Sequence, residues 1–249
     1  MIESAVASRW FRRYPPPGGV VAKRLVCLPH AGGTAGMFHG WAGGFGPGVE
    51  VLATRYPGRQ ERFGEECVTS MKELTDEVVR ALLPLSDVPL HLFGHSMGAS
   101  LGYEVALRLE NEHGVRLAGL HVSSRKAPHR VDSPPVYLGG DAAVIEAVAG
   151  LGGTEAGLLG DPDLYELVMP ALRADFEIVG TYLAQPGYPV ACPVAAYVGD
   201  RDPGVSPVDM AAWADVASGG FDLTVYPGDH FYLAPQRDAL LRDLAARIA

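Results

Sequence analysis

Six short apolar runs, each closing on a turn-forming or chemically reactive residue, constrain this chain more than any other feature. They are "RLVCLPH" (24–30), "VEVLATRYPG" (49–58), "PLHLFGH" (89–95), "LAGLHVSS" (117–124), "CPVAAYVGD" (192–200) and "FDLTVYPGDH" (221–230). Most are apolar at consecutive rather than alternate positions, the pattern of strands covered on both faces. Helical periodicity separates several of them. Met71, Leu74, Val78, Val79 and Leu82 share one stripe over 70–83, and Leu101, Val105, Ala106 and Leu109 share another over 97–110. Residues 207–217 and 235–248 predict helices that begin at or near a proline, which a first turn tolerates. Strand and helix alternating in this way imply an α/β chain with a mostly parallel, doubly wound sheet.

The rhythm breaks once. From about Ser133 to Pro189 the sequence offers helical patterns (141–149, 163–170 and 171–184) separated by glycine-rich joints, and no convincing strand. A stretch of this length exceeds a plain crossover and predicts a helical lid, 133–189, inserted into a single domain spanning 1–249. A chain of 249 residues can bury a substantial core without disulfides. The formal charge of −9 argues against nucleic acid as the main partner, because a phosphate backbone demands a basic surface. Cys27, Cys67 and Cys192 are widely spaced, without metal-ligand spacing, and packing accounts for Cys27 and Cys192. No apolar run approaches the length of a signal segment or a membrane span, so the expectation is a cytoplasmic protein that does not enter a membrane.

Residues 94–98, Gly-His-Ser-Met-Gly, place Ser96 between two glycines where an apolar strand becomes an apolar-faced helix. The pattern G-x-S-x-G is short enough to arise by chance in a chain with 31 glycines. Its setting, strand before and helix after, is what a nucleophile elbow requires. A nucleophilic serine needs a base, and the base needs an acid to hold its tautomer, in the chain order Ser, acid, His. Of eight histidines only His230 lies beyond residue 129, directly after a strand. "VAAYVGDRDPGVSP" offers Asp200 and Asp202 as the acid. Asp200 stands at the strand end, where ordering the turn is sufficient reason for it, whereas Asp202 is further into the loop and better able to reach a histidine on the next strand. Asp229 fits a role in its own turn. For the oxyanion hole the donors expected are the backbone N–H of Met97, after the nucleophile, and of Ala31 in the glycine-rich "LPHAGGTAG" (28–36). His30 and His95 adjoin the site as packing or hydrogen-bonding elements. In "RYPGRQER" (55–62) turn formation explains Pro57 and Gly58, and Arg59 and Arg62 have the look of ordinary surface charges.

Taken together, "WFRRY" (10–14), "RLVCLPHAGG" (24–33), "YPGRQER" (56–62), "FGHSMGA" (93–99), "GDRD" (199–202) and "GDHFYL" (228–233) resemble the stand-alone type II thioesterases of polyketide and nonribosomal-peptide assembly lines. "LGGT" and "LLGDPDLYELVMPALRADFEIVGTY" (158–182) resemble that family's lid, so the likeness covers nearly the whole chain. The resemblance implies an α/β-hydrolase fold with Ser96, Asp202 and His230 as catalytic triad and Ala31 and Met97 as oxyanion donors. It implies hydrolysis of acyl groups from the phosphopantetheine arm of an acyl or peptidyl carrier protein, to clear stalled or mis-primed units, by a monomer using no metal or other cofactor. On that expectation "SSRKAPHR" (123–130), with Arg125, Lys126 and Arg130, is a candidate carrier-docking patch. Two other readings keep the scaffold. One is an acyltransferase or cyclase releasing the chain to an acceptor other than water, and the other a non-enzymatic carrier-binding module. A general small-ester hydrolase is a further alternative.

Overall fold

The computed structural model describes residues 2–132, 134–152, 161–184 and 187–249. Seven strands form one sheet: β1 Phe11–Tyr14, β2 Lys23–Leu28, β3 Val49–Thr54, β4 Leu90–His95, β5 Gly119–Ser123, β6 Val194–Gly199 and β7 Phe221–Tyr226. Their order is β1-β3-β2-β4-β5-β6-β7, with β1 antiparallel to β3 and every other pair parallel. Every residue of β4, β5 and β6 is buried, the polar His91, His95, His121 and Ser123 included, in keeping with their largely apolar sequences. At the edge, β7 keeps only Tyr226 buried.

Helices cover both faces. On one side α1 (Ile2–Trp10), α2 (Met71–Leu82) and α3 (Met97–His113) pack Trp10, Leu74, Val78, Leu101 and Val105 against Val26, Leu92 and Val122 of the sheet. On the other, Phe38 and Trp41 from 3-10 turns join Leu240 and Leu244 of the C-terminal helix Arg237–Ile248 around Phe93 and Tyr197. Cys27 and Cys192 are fully buried, in keeping with a packing role.

β1 and α1 are absent from the sequence expectation. Four residues with two arginines carry no strand periodicity. The strand holds its edge through pairing with β3 and through Arg13, whose Nε and Nη2 donate to Glu50 at 2.8 and 2.9 Å. Between β5 and β6 the chain forms α4 (Gly140–Gly150) and α5 (Pro162–Thr181), and no strand among the described residues. Ser133, residues 153–160 and residues 185–186 of the expected insertion lie outside the described residues. The segments 163–170 and 171–184 are not separate helices. α5 runs continuously through Pro170, which forgoes one helical hydrogen bond, and starts on an Asp161 cap accepting from Asp163 N at 2.9 Å. The helix expected over 207–217 is an α-helix, α6, only for Pro207–Ala211 and continues as a 3-10 turn, Ala212–Val216, so the C-terminal helix is α7. Among the described residues no helix is long and apolar enough to cross a membrane.

Beneath the sheet's centre, His91 of β4 and His121 of β5 stack with ring centroids 5.6 Å apart. Burial pushes His91 down to about 4 and His121 down to about 3. Both values lie below the unfolded one, so the stabilisation is complete above an unfolded pKa of about 6.5 and is lost as pH falls through the interval down to the folded values. Near pH 5 the loss is about 2 kcal/mol for each fully shifted histidine. Urea denaturation at pH 7.5 and pH 5 measures it, and His121→Gln should flatten the difference. Equal stability at the two pH values would contradict it.

Candidate active site

The loops at the C-terminal ends of β2, β4, β5, β6 and β7 converge on one place, as a parallel sheet directs. At its centre β4 ends in His95 and α3 begins at Met97, leaving Ser96 at φ +54°, ψ −119°, a conformation an L-residue adopts only under constraint. The constraint is visible. Ser96 N donates to Ser123 O at 2.8 Å, and Ser96 O accepts from Ala99 N at 2.9 Å. A Cβ on Gly94 would lie 2.0 Å from Gly98 O, and one on Gly98 would lie 2.1 Å from Leu28 O. The two glycines are therefore required by close backbone approach.

His230 follows β7. Its Nδ1 is 2.9 Å from Asp202 Oδ2, and the two side chains are almost wholly buried, 4% and 0% exposed. Asp202 Oδ1 accepts from Gly204 N at 2.9 Å and Val205 N at 3.1 Å, which leaves Oδ2 for the imidazole. Burial would raise the Asp202 carboxyl, but the hydrogen bond and the charge of His230 outweigh it and hold the group below the usual carboxylate range. Asp200 does what its place at the strand end predicts. Its Oδ1 accepts from Gly228 N at 2.8 Å, ordering the turn that carries His230. Asp229 likewise accepts within its own turn, from Phe231 N at 2.8 Å.

Beneath the elbow runs a buried chain of polar groups. Ser123 Oγ contacts His95 Nδ1 at 2.9 Å and Tyr232 Oη at 2.8 Å, joining the ends of β4 and β5 to the loop of His230. The His95 ring lies 5.0 Å from that of His230. Burial, reinforced by His230 nearby, drives the His95 pKa far down, so His95 stays neutral. His30 packs edge-on to His95 and Phe231, as expected of a packing residue.

Ser96, His230 and Ala31 line one cavity of about 450 Å³, roofed by Val136, Val148 and Phe176 of the insertion. The two helices of the insertion pack on each other through Val144, Val148, Met169, Leu172 and Phe176. Met97 N–H lies in the first turn of α3 and has no intrahelical acceptor. The expected basic patch is not a single surface. Arg125 turns inward, lining the cavity and donating from Nε to Ser100 Oγ at 2.9 Å, and burial lowers it to about 10. Lys126, also at the cavity, pairs with Asp132 at 2.7 Å, and of the three only Arg130 is exposed. Arg59 and Arg62 are corrected outright: they are 8% and 6% exposed. Arg62 lies over the Trp10 ring at 4.3 Å and pairs with Glu65, while Arg59 grips Asp175 of α5. Among the described residues no cluster of side chains could hold a metal ion.

The thioesterase domain model matches residues 23–248, the whole sheet but β1. The chain belongs to the thioesterase family. This thioesterase is 43% identical to thioesterase PikA5 of Streptomyces venezuelae over 238 residues, 95% of this chain and 84% of that protein. It superposes on the type II thioesterase BorB from the borrelidin biosynthetic cluster with a TM-score of 0.87 at 38% identity, covering 96% and 98% of the two chains. For RedJ, a thioesterase from the prodiginine biosynthetic pathway in Streptomyces coelicolor, the TM-score is 0.86 at 36% identity, covering 94% and 88%. The protein is a thioester hydrolase of the α/β-hydrolase fold, akin to the type II thioesterases of polyketide and nonribosomal-peptide pathways.

Proposed function

We propose that this thioesterase edits an assembly line by hydrolysing acyl groups from the phosphopantetheine thiol of an acyl or peptidyl carrier protein. The observation that carries the reading is the convergence of the Ser96 elbow and the Asp202–His230 pair on one apolar-roofed cavity. Ser96 Oγ is the nucleophile and His230 Nε2, which is buried without a hydrogen-bond partner among the described residues, takes its proton. Asp202 fixes the tautomer by accepting from Nδ1–H and steadies the imidazolium that forms. The N–H groups of Ala31 and Met97 receive the developing oxyanion. Collapse of the tetrahedral intermediate expels the pantetheine thiol, which takes the proton from His230 and leaves an acyl-serine. Water activated by His230 then releases the acid. Val136, Val148 and Phe176 supply apolar surface for the acyl chain, and exposed Arg130, next in sequence to Val131 of the cavity lining, offers the carrier a charge.

The test compares a short acyl group on a phosphopantetheinylated carrier with the same group on N-acetylcysteamine. The expected kcat/KM is at least about tenfold higher on the carrier, equivalent to about 1.4 kcal/mol of docking. Equal or slower turnover on the carrier would mark a general hydrolase, and an ester or amide product in place of the free acid would mark a transferase.

A further inference from the structure

A second cavity adjoins the catalytic one. It holds about 560 Å³, within the range of about 300–1,000 Å³ that small-ligand sites occupy, and Thr34, His39, Trp41, Asp229, Ala234 and Arg237 are among its lining. His30 and Phe231 line both cavities, so the two meet at that wall, where the rings stand edge to face with centroids 5.0 Å apart. The end of α4 is shared out in the same way, Leu151 lining the catalytic cavity and Gly152 the second. The lining differs in kind. Under the insertion it is apolar, whereas the second cavity mixes Met37, Trp41 and Leu233 with hydroxyl, imidazole and charged groups. Arg237 is 52% exposed, and its Nε lies 3.4 Å from Asp238 Oδ1, beyond the usual hydrogen-bond range. Asp229, the opposite charge in the lining, is committed to its own turn through Phe231 N.

We propose that the second cavity receives the pantetheine arm of the substrate, with Arg237 meeting its phosphate, while the cavity under the insertion receives the acyl chain. The direction follows from the leaving group. A thioester carbonyl held for attack by Ser96 carries two substituents, the acyl chain and the sulfur, which depart from the reacting carbon on different sides. The sulfur must end within reach of His230, which in the proposed mechanism hands it a proton. The chain on either side of His230 lines the second cavity, through Asp229 before it and Phe231, Leu233 and Ala234 after it. An arm that follows this loop away from the sulfur enters the second cavity. The arm's chemistry fits what it finds there. Its amides and hydroxyl need polar partners, its geminal methyl groups need apolar surface, and its phosphate needs a cation. The reverse placement would press amides and a phosphate against Val136, Val148 and Phe176, where they would lose their hydrogen bonds to water and gain none. The net charge of −9 sharpens the point, because an anionic arm needs a local cation to approach such a chain. The inference rests on the proposed function for the class of substrate.

The test is a series in which one short acyl group is carried by N-acetylcysteamine, by pantetheine and by 4′-phosphopantetheine. In the wild type kcat/KM should rise at least about tenfold from the first to the second, as the pantoyl part fills the cavity. The phosphate should add about two- to fivefold, the range of an exposed ion pair. Ala234 is exposed, so Ala234→Trp fills the cavity without entering the core, and it should erase most of the pantetheine gain. Arg237→Gln should erase the phosphate gain and keep the pantetheine gain, and it carries the test if Ala234→Trp does not fold. Product inhibition by 4′-phosphopantetheine should weaken in both variants. A flat series in an enzyme that still prefers the carrier would overturn the inference and leave the proposed function standing. So would a phosphate gain lost in Lys126→Gln rather than Arg237→Gln, which would send the arm out past the insertion. An Ala234→Trp variant that shortened the acyl chains accepted, with the pantetheine gain intact, would give the cavity to the acyl group and overturn it too. A rising series without preference for the carrier would keep the arm in this cavity and remove the carrier from the proposed function.

Discussion

Ser96→Ala is expected to lower kcat for acyl release by about 10⁶-fold, and Asp202→Asn by about 10⁴-fold. The two numbers differ because the two residues fail differently. In the proposed mechanism there is no acyl-enzyme without Ser96 Oγ, and the residual rate is what positioning and the oxyanion donors give to water. Asparagine at 202 preserves shape and can keep the bonds from Gly204 and Val205 N–H to Oδ1. The atom left facing His230 Nδ1 is then an amide nitrogen, a donor, which holds the imidazole in the tautomer that cannot take the serine proton. Asp200→Asn is the control. That carboxylate serves Gly228 N–H and does not touch His230, so its loss should change kcat by less than about tenfold. Steady-state kinetics on a small thioester check all three variants, and comparable losses at 200 and 202 would remove the distinction between them.

That choice between Asp200 and Asp202 shows where the sequence was informative. Apolar runs identified six of the seven strands: near-continuous in β2 to β6, which are covered on both faces, and alternating in β7, which lies at the edge. Ser96 and His230 could be picked out because the elbow and the chain order each demand a residue type at a defined place. The two aspartates, two positions apart, were separable in sequence only by reach and by the resemblance, and in the structure it is Asp202 that lies 2.9 Å from His230 Nδ1. β1 was invisible because an edge strand of four residues takes its stability from Glu50 and β3 rather than from its own pattern. Arg59 and Asp175 were invisible for a related reason: they are 116 positions apart, and each alone has the composition of a surface charge. The polar chain of His95, Ser123 and Tyr232 exists only once the ends of β4 and β5 and the loop of His230 are brought together. The separation expected between 163–170 and 171–184 is absent, since packing of α5 over the cavity outweighs the single helical bond that Pro170 removes.

Gly98→Ala is expected to destabilise the protein by more than about 3 kcal/mol, or to prevent folding, although alanine favours a helix over glycine by about 1 kcal/mol. The added methyl would stand 2.1 Å from Leu28 O and 2.7 Å from Pro29 O. Both are backbone atoms at the end of β2, which cannot rotate away as a side chain does. Gly102→Ala, one turn further along α3, meets only Leu120 Cδ1 and Leu28 Cδ1 at 3.3 Å, and should stay within about 1 kcal/mol of wild type in either direction. Urea denaturation of the pair separates the two effects, and equal midpoints would refute the backbone clash. The clash matters to function as well as to stability. α3 must approach the end of β2 this closely if the N–H of Met97, at its first turn, and the N–H of Ala31, three residues beyond β2, are to face one oxyanion. Any folded fraction of Gly98→Ala should therefore lose kcat on small and carrier-bound thioesters alike, because the substitution separates the two proposed donors rather than any surface a carrier would touch.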